Sequence, residues 1–96
     1  MRRIFIIGEF EERVQRGELT VRPKPGSEHP APAKLNEVPG TVSRILQYFD
    51  LKGELVAMTH EYVRPDGTLA ASGKRDPKWI FLDGVIYKQG LRAPQH

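Results

Sequence analysis

The sequence predicts an α+β fold: a short N-terminal helix, an extended proline-rich arm and an antiparallel β-meander of four to five strands. Helical spacing of apolar residues follows Gly8, and five of the eight prolines fall between residues 20 and 39. Beyond residue 41, apolar residues alternate with polar ones between turn signals, as in half-buried strands. The predicted units are an N-terminal strand or helix segment (1–19), the arm (20–40) and the meander domain (41–96).

The N-terminal segment opens with a compact apolar run, residues 4–7, which fits either a strand or the first turn of a helix. The pattern then becomes helical, because Phe10 and Val14 lie four residues apart, and Gly17 is a natural C-terminal stop. Ile6 extends the same apolar stripe. Because a helix this short is marginal in isolation, we expect the stripe to dock onto another surface.

The segment TVRPKPGSEHPAPAKLNEVP, residues 20–39, has the composition of an extended polyproline-like chain. Proline lacks a backbone N–H, so this composition predicts an arm that neither pairs in a sheet nor continues a helix. At about 3.1 Å per residue, twenty such residues would span roughly 60 Å and could reach a neighbouring subunit. The predicted partner-binding residues are Ile6, Phe10, Val14, Pro23, Pro25, Pro30 and Pro32.

The meander is predicted from β-branched and aromatic stretches separated by turn residues. Asp83-Gly84 is the best short hairpin signal, since both residues accept a positive φ. Pro65-Asp66-Gly67 predicts a second tight turn. Thr68–Ala71 is a candidate short strand. The main strand candidates are residues 44–49, 54–64, 78–82 and 85–89.

Both faces of the predicted sheet carry apolar side chains. In the second strand Met58 and Tyr62 point one way, while Ala57 and Val63 point the other. Antiparallel sheets usually leave one face polar. The N-terminal helix can cover one face, so the other requires sheet curling, the arm or a second subunit.

Composition narrows the function classes. The chain has no cysteine, which excludes disulfides and thiolate–metal sites, and its net charge is +3. Six basic and three acidic residues lie between Arg64 and Arg92, which indicates either a local basic surface or a solvated sheet edge. No stretch approaches the roughly twenty apolar residues of a membrane span. We therefore expect a cytoplasmic protein, or a virion component if the source is a phage.

The segment SGKRDPKW, residues 72–79, has the most distinctive chemistry. Its glycine lets backbone amides approach an anion, and tryptophan can stack on a nucleic-acid base. If Trp79 instead packs with Phe81, it belongs to the core. The candidate anion- or nucleic-acid-binding residues are Lys74, Arg75, Lys78 and Trp79.

His60 is a second candidate, because a histidine near Tyr62 and Arg64 could act as a general base in RNA cleavage. The combination of helices and an antiparallel sheet at this length resembles small ribonuclease toxins of the RelE type, although the proline-rich segment stands where a helical hairpin is expected. The alternative is a structural sheet histidine. No second histidine follows His60 at four residues, so we expect no metal or cofactor.

These patterns together favour a non-catalytic interaction or assembly subunit that uses its N-terminal arm to contact a neighbouring subunit. Virion components and accessory subunits of larger complexes commonly use such arms. One alternative is a basic nucleic-acid-binding protein, including a RelE-type ribonuclease. The other is a homodimer formed by arm or strand exchange.

Overall fold

A computed structural model describes residues 1–89 of the chain, so Arg92 and the rest of 90–96 lie outside the described residues. Two short helices precede six strands, with a single 3₁₀ turn, η1, between the second and third strands. The elements are α1 (Arg2–Ile7), α2 (Phe10–Gln15), β1 (Thr20–Pro23), β2 (His29–Pro30), η1 (Ala33–Leu35), β3 (Val42–Phe49), β4 (Leu55–Val63), β5 (Asp76–Leu82) and β6 (Val85–Lys88).

The strands form one antiparallel sheet in the order β1-β3-β4-β5-β6, and β2 pairs with β3 beside β1. The predicted α+β class is confirmed at this level. The sheet has six strands rather than four or five because two of them come from the proline-rich segment. Residues 4–7, which fitted either a strand or a helix, belong to α1.

The expectation that the proline-rich segment cannot pair in a sheet is wrong for β1 and β2, because both run antiparallel to β3. Lys24 donates its N–H to the carbonyl of Ile45 (2.8 Å). Residues alternate between bonded and non-bonded pairs along an antiparallel ladder, so the nitrogen of Pro23 points away from β3. Proline is tolerated there because an edge strand has no neighbour on that side.

A proline nitrogen that points away from β3 also explains why Pro30 is tolerated in β2. The N–H of Ala31 bonds to the carbonyl of Thr41 (2.9 Å), which leaves the preceding proline nitrogen on the outer side. Between β1 and β2 the Ser27 hydroxyl accepts the N–H of Ile45 (3.1 Å). A side chain therefore accepts a backbone N–H group of β3 at the point where the edge strand is interrupted.

The remainder of the segment is anchored by Glu37. Its carboxylate accepts two hydrogen bonds from the Arg64 guanidinium (2.8 and 3.3 Å) and one from the N–H of Ala71 (3.2 Å). Gly40 packs so closely that a Cβ there would lie 2.9 Å from Cγ of Pro65. The proline-rich segment thus lies along its own sheet instead of extending as a free arm.

The core lies between the helices and one face of the sheet. The rings of Phe5 and Phe10 stack with centroids 5.2 Å apart, and Phe5 meets Tyr48 edge-on at 5.7 Å. None of the helices within residues 1–89 combines the length and the apolar character needed to cross a membrane. The buried core residues are Phe5, Phe10, Leu19, Leu46, Tyr48, Val56, Ala57 and Ile80.

The two predicted turns both form: the N–H of Gly67 bonds to the carbonyl of Arg64 (2.8 Å) across Pro65-Asp66, and the hairpin turn at 83–84 has the expected chemistry. Asp83 and Gly84 have φ values of 51° and 79°, as a two-residue turn of type I′ requires. In the β3–β4 turn the Asp50 carboxylate accepts the N–H groups of Lys52 and Glu54, both at 2.9 Å. Local sequence therefore sets the register of the central strands.

Candidate interaction surface and anion pocket

The sheet surface opposite the helices, which we term the open face, carries apolar side chains on four of its strands. The register sets Met58 directly opposite Trp79 and Phe81 directly opposite Ile86, so these pairs share a face. Phe81 is 40% exposed and Ile86 is 54% exposed. The apolar residues that strand alternation assigns to the open face, none of them in the buried core, are Ile45, Phe49, Met58, Trp79, Phe81 and Ile86.

Charged residues on the open face lie near its margins. Arg22 on β1 places its guanidinium 4.2 Å from the ring centroid of Phe49. Lys88 on β6 is opposite Trp79. Asp76, at the start of β5, is opposite His60. The centre of the face is therefore uncharged and mainly apolar, and its polar members are Gln47, opposite Met58, and His60, opposite Ile45.

The opposite face contains a buried ion cluster that sequence analysis missed. Glu61 is 1% exposed, and its two carboxylate oxygens bind the guanidinium groups of Arg44 (2.5 Å) and Arg75 (2.9 Å). The sequence signal for this cluster was that Glu61, a charged residue, alternates with Ala57 and Thr59 along one strand. The partners are 17 and 14 residues away in sequence, so no local spacing pointed to them.

The predicted anion-binding residues do not share one surface. Arg75 is bound to Glu61, whereas the half-buried Trp79 faces the other side of the sheet. Lys78 forms an ion pair with Asp76 at 2.8 Å. Lys74 lies in the exposed loop before β5. The geometry therefore separates the tryptophan from Arg75, while Lys78 is held by Asp76 on the side of the tryptophan.

The predicted docking stripe is also divided. Phe10 is fully buried in the chain's own core, Val14 is half-buried against that core, and Ile6 is 64% exposed. The other four predicted partner-binding residues occupy the proline-rich segment, two in strands (Pro23 and Pro30) and two exposed outside them (Pro25 and Pro32).

His60 lies in β4 with two neighbours on the same side of the sheet. Its Nε2 is 2.6 Å from the Ser43 hydroxyl oxygen, and its ring meets Tyr62 edge-on at 4.6 Å. Burial, followed by the positive charge of Lys78, holds the pKa of His60 below its ordinary value, so the imidazole is neutral at pH 7. Arg64, grouped with His60 by sequence, instead binds Glu37. A neutral, hydrogen-bonded histidine is consistent with the structural interpretation.

One cavity brings several of the candidate residues together. This loop cavity, of about 450 Å³, lies between β4, the start of β5 and residues 70–74. Four residues that the sequence analysis chose for the nucleic-acid-binding alternative line this cavity: His60, Tyr62, Lys74 and Lys78. Arg2 also lines it, and no sequence signal connected that residue with the loop.

Comparisons with known proteins add no functional assignment. The chain matches no protein-family model, no curated protein and no solved structure at a significant level.

Proposed function

We propose that this protein is a non-catalytic assembly subunit whose open face packs against a neighbouring subunit, a second copy of the same chain. The observation that carries the proposal is the uncharged and mainly apolar centre of the open face. Helices α1 and α2 pack on the other face, and the proline-rich segment pairs with β3 at the edge of the sheet, where its Arg22 contacts the ring of Phe49.

The chemistry of the open face suits contact between identical copies. Its central residues, including Met58, Trp79 and Phe81, are uncharged, so two copies can meet without placing like charges at the centre. Arg22 and Lys88 lie toward the margins, where solvent can still reach them. An apolar centre with a polar rim is the usual arrangement of a protein–protein interface.

The dimensions of the open face are also adequate. With strands about 4.8 Å apart and about 3.3 Å per residue, five strands around the eight-residue β3 give a projected area of roughly 400 to 600 Å². Side-chain relief increases the accessible area beyond this projection. The result approaches the roughly 800 Å² per partner of a standard interface.

This proposal keeps the assembly role expected from the sequence but changes the contact surface. The proline-rich segment is hydrogen-bonded to β3, so contact through a free arm would require breaking those bonds. The nucleic-acid-binding alternative needs Trp79 and Arg75 on one surface, and they face opposite sides of the sheet. The open face therefore has the stronger geometric support.

Light scattering after size-exclusion chromatography tests the proposal. The double variant Phe81→Lys/Ile86→Lys places two ammonium groups on the open face at positions already exposed, so the fold should remain intact. We expect the wild-type protein to have the mass of a dimer and the double variant to have the mass of a monomer, because burying unpaired lysines is costly.

The matched control is Leu51→Lys. Leu51 is 81% exposed in the β3–β4 turn, outside the open face, so this variant should remain a dimer. A wild-type monomer across the concentration range would contradict self-association. A double variant that stays dimeric, or a control that dissociates equally, would show that the open face is not the interface.

A further inference from the structure

The loop cavity exists because β5 pairs with only part of β4. Their ladder ends at the pair His60–Asp76, and the rest of β4 is bordered by the loop that precedes β5. The N–H of Ala70 bonds to the carbonyl of Tyr62 (2.8 Å), which attaches this loop to the strand. The cavity is thus built by the sheet edge and by a hydrogen-bonded loop.

The charges around this cavity do not cancel. Among residues 1–89, neither Arg2 nor Lys74 has a carboxylate within ion-pair distance. Glu61 also lines the cavity, but two arginine side chains more than compensate its charge, and Lys78 pairs with Asp76. Arg2 and Lys74 therefore add two positive charges without a partner, which favours an anion and disfavours a metal cation.

The loop that forms the cavity wall is held in one conformation. Ala71 has a φ of 56°, a left-handed conformation that costs a residue with a Cβ about 1 kcal/mol or more. The carboxylate of Glu37 accepts the N–H of Ala71, and the same carboxylate is fixed by Arg64. The wall is consequently arranged before any ligand binds, which lowers the entropic cost of binding.

We infer that the loop cavity binds a phosphate group, carried either by a free nucleotide or by a nucleic-acid backbone. A phosphate monoester carries a charge of about −1.5 to −2 near pH 7, which matches the two unpaired cations Arg2 and Lys74. Ser72, also in the cavity wall, provides a hydroxyl donor. A volume of about 450 Å³ is within the ordinary range for small-molecule sites.

A neighbouring cavity of about 370 Å³ shares Arg2 and Lys74 but has a different charge pattern. The side chains of Glu11 and Glu12 line it, and their carboxylates would repel a phosphate. The loop cavity is therefore the better anion site of the two.

The test is titration of the full chain with inorganic phosphate, uridine 5′-monophosphate and a short oligouridylate at constant ionic strength, followed by backbone amide NMR. The expected result is a saturable shift of the signals of residues 70–74. Lys74→Gln should weaken binding by about tenfold, the effect of losing one charge-assisted hydrogen bond. Arg2→Gln should have a similar effect.

Lys52→Gln is the matched control, because it removes the same charge from the exposed β3–β4 turn at the opposite end of the hairpin. It should change binding less than twofold, roughly the effect of screened long-range charge. A second readout is His60, whose pKa should rise as phosphate occupies the cavity, with about tenfold more phosphate needed for the same rise in Lys74→Gln than in the wild-type protein.

The three probes distinguish the sources of the phosphate. Binding of the monophosphate with equal or greater affinity than the oligonucleotide identifies a free nucleotide or phosphate. Binding of the oligonucleotide alone, weakened in Lys74→Gln and kept in Lys52→Gln, identifies a nucleic-acid backbone. No saturable shift with any probe, or equal weakening by both lysine variants, overturns the inference. His60 and Tyr62 of the cavity wall also lie on the open face, but the two proposals are read out separately, by amide shifts for the cavity and by molecular mass for the open face, so failure of one is distinguishable from failure of the other.

Discussion

The two faces of the sheet are built from the same alternating strands, but the two helices pack against only one of them. On the covered face, Phe5 and Phe10 from the helices pack against Tyr48, and even the charged Glu61 is buried with partners. On the open face, Trp79 and Phe81 have no comparable cover within residues 1–89. Strand alternation thus predicts which residues share a face, but not which face the chain covers by itself.

Truncating one phenylalanine on each face should give the largest difference. Phe10→Ala removes a fully buried ring stacked on Phe5, and we expect it to lower the free energy of unfolding by about 3–5 kcal/mol. Phe81→Ala removes a ring that is 40% exposed, and we expect a loss of about 1 kcal/mol or less in the monomer. Urea denaturation at low protein concentration measures both. Equal losses would contradict the difference between the faces.

Removing a carboxylate from each face should give a smaller difference. Glu61→Gln leaves Arg44 and Arg75 without their anion, and we expect a loss of about 2–3 kcal/mol. This is below the usual cost for a buried pair because the arginine side chains are 30% and 38% exposed. Asp76→Asn breaks a pair with Lys78 whose side chains are 39–48% exposed, so it should cost about 1 kcal/mol or less.

The same denaturation measurement checks this second comparison. If Asp76→Asn costs as much as Glu61→Gln, burial does not distinguish the two ion pairs. Circular dichroism of each variant before denaturation serves as the control for an intact fold.

The effect of Glu37→Gln on the free energy of unfolding should be smaller still, and it should depend on pH. This variant tests whether the proline-rich segment belongs to the sheet domain. Hydrogen bonds from Arg64 and from the N–H of Ala71 hold the pKa of Glu37 below its ordinary value. As the pH falls, the carboxyl of Glu37 is therefore protonated in the unfolded state before it is protonated in the folded state. The stabilisation by Glu37 is fully present above the unfolded pKa, about 4.3, and disappears as the pH falls through the folded pKa.

Urea denaturation of wild type and Glu37→Gln from about pH 7 to about pH 3 checks this expectation. The stability difference between the two proteins should shrink as the pH falls. A difference that does not change with pH would mean that Glu37 is not bound to Arg64 in solution.

Local chemistry made part of the fold predictable from sequence. The turn at Asp83-Gly84, the helix around Phe10 and the alternation in β4 each depend on residues close together in the chain. Such signals specify element type and turn conformation without knowledge of distant contacts.

The edge strands could not be predicted from composition. Whether Pro23 and Pro30 break a strand depends on which side their nitrogens face, and this is set by the register with β3. Composition alone therefore indicated a free arm in the segment that forms the edge strands β1 and β2.

The candidate site was predictable only in part, for the same reason. His60, Tyr62, Lys74 and Lys78 were chosen by residue type, and the loop cavity brings them together. Arg2 reaches the cavity from the N-terminal helix, and Glu37 holds the loop from the proline-rich segment. Both contacts join residues far apart in sequence, which spacing rules do not describe.

The most direct test of the central claim uses Trp79, the only tryptophan in the chain and a half-buried residue of the open face. Its fluorescence emission and its quenching by acrylamide can be followed as the wild-type protein is diluted, with Phe81→Lys/Ile86→Lys as the monomeric reference. We predict that the concentrated wild-type protein has blue-shifted emission and weak quenching, and that both approach the values of the variant on dilution. Emission and quenching that are independent of concentration and equal in the two proteins would contradict burial of the open face by a second copy.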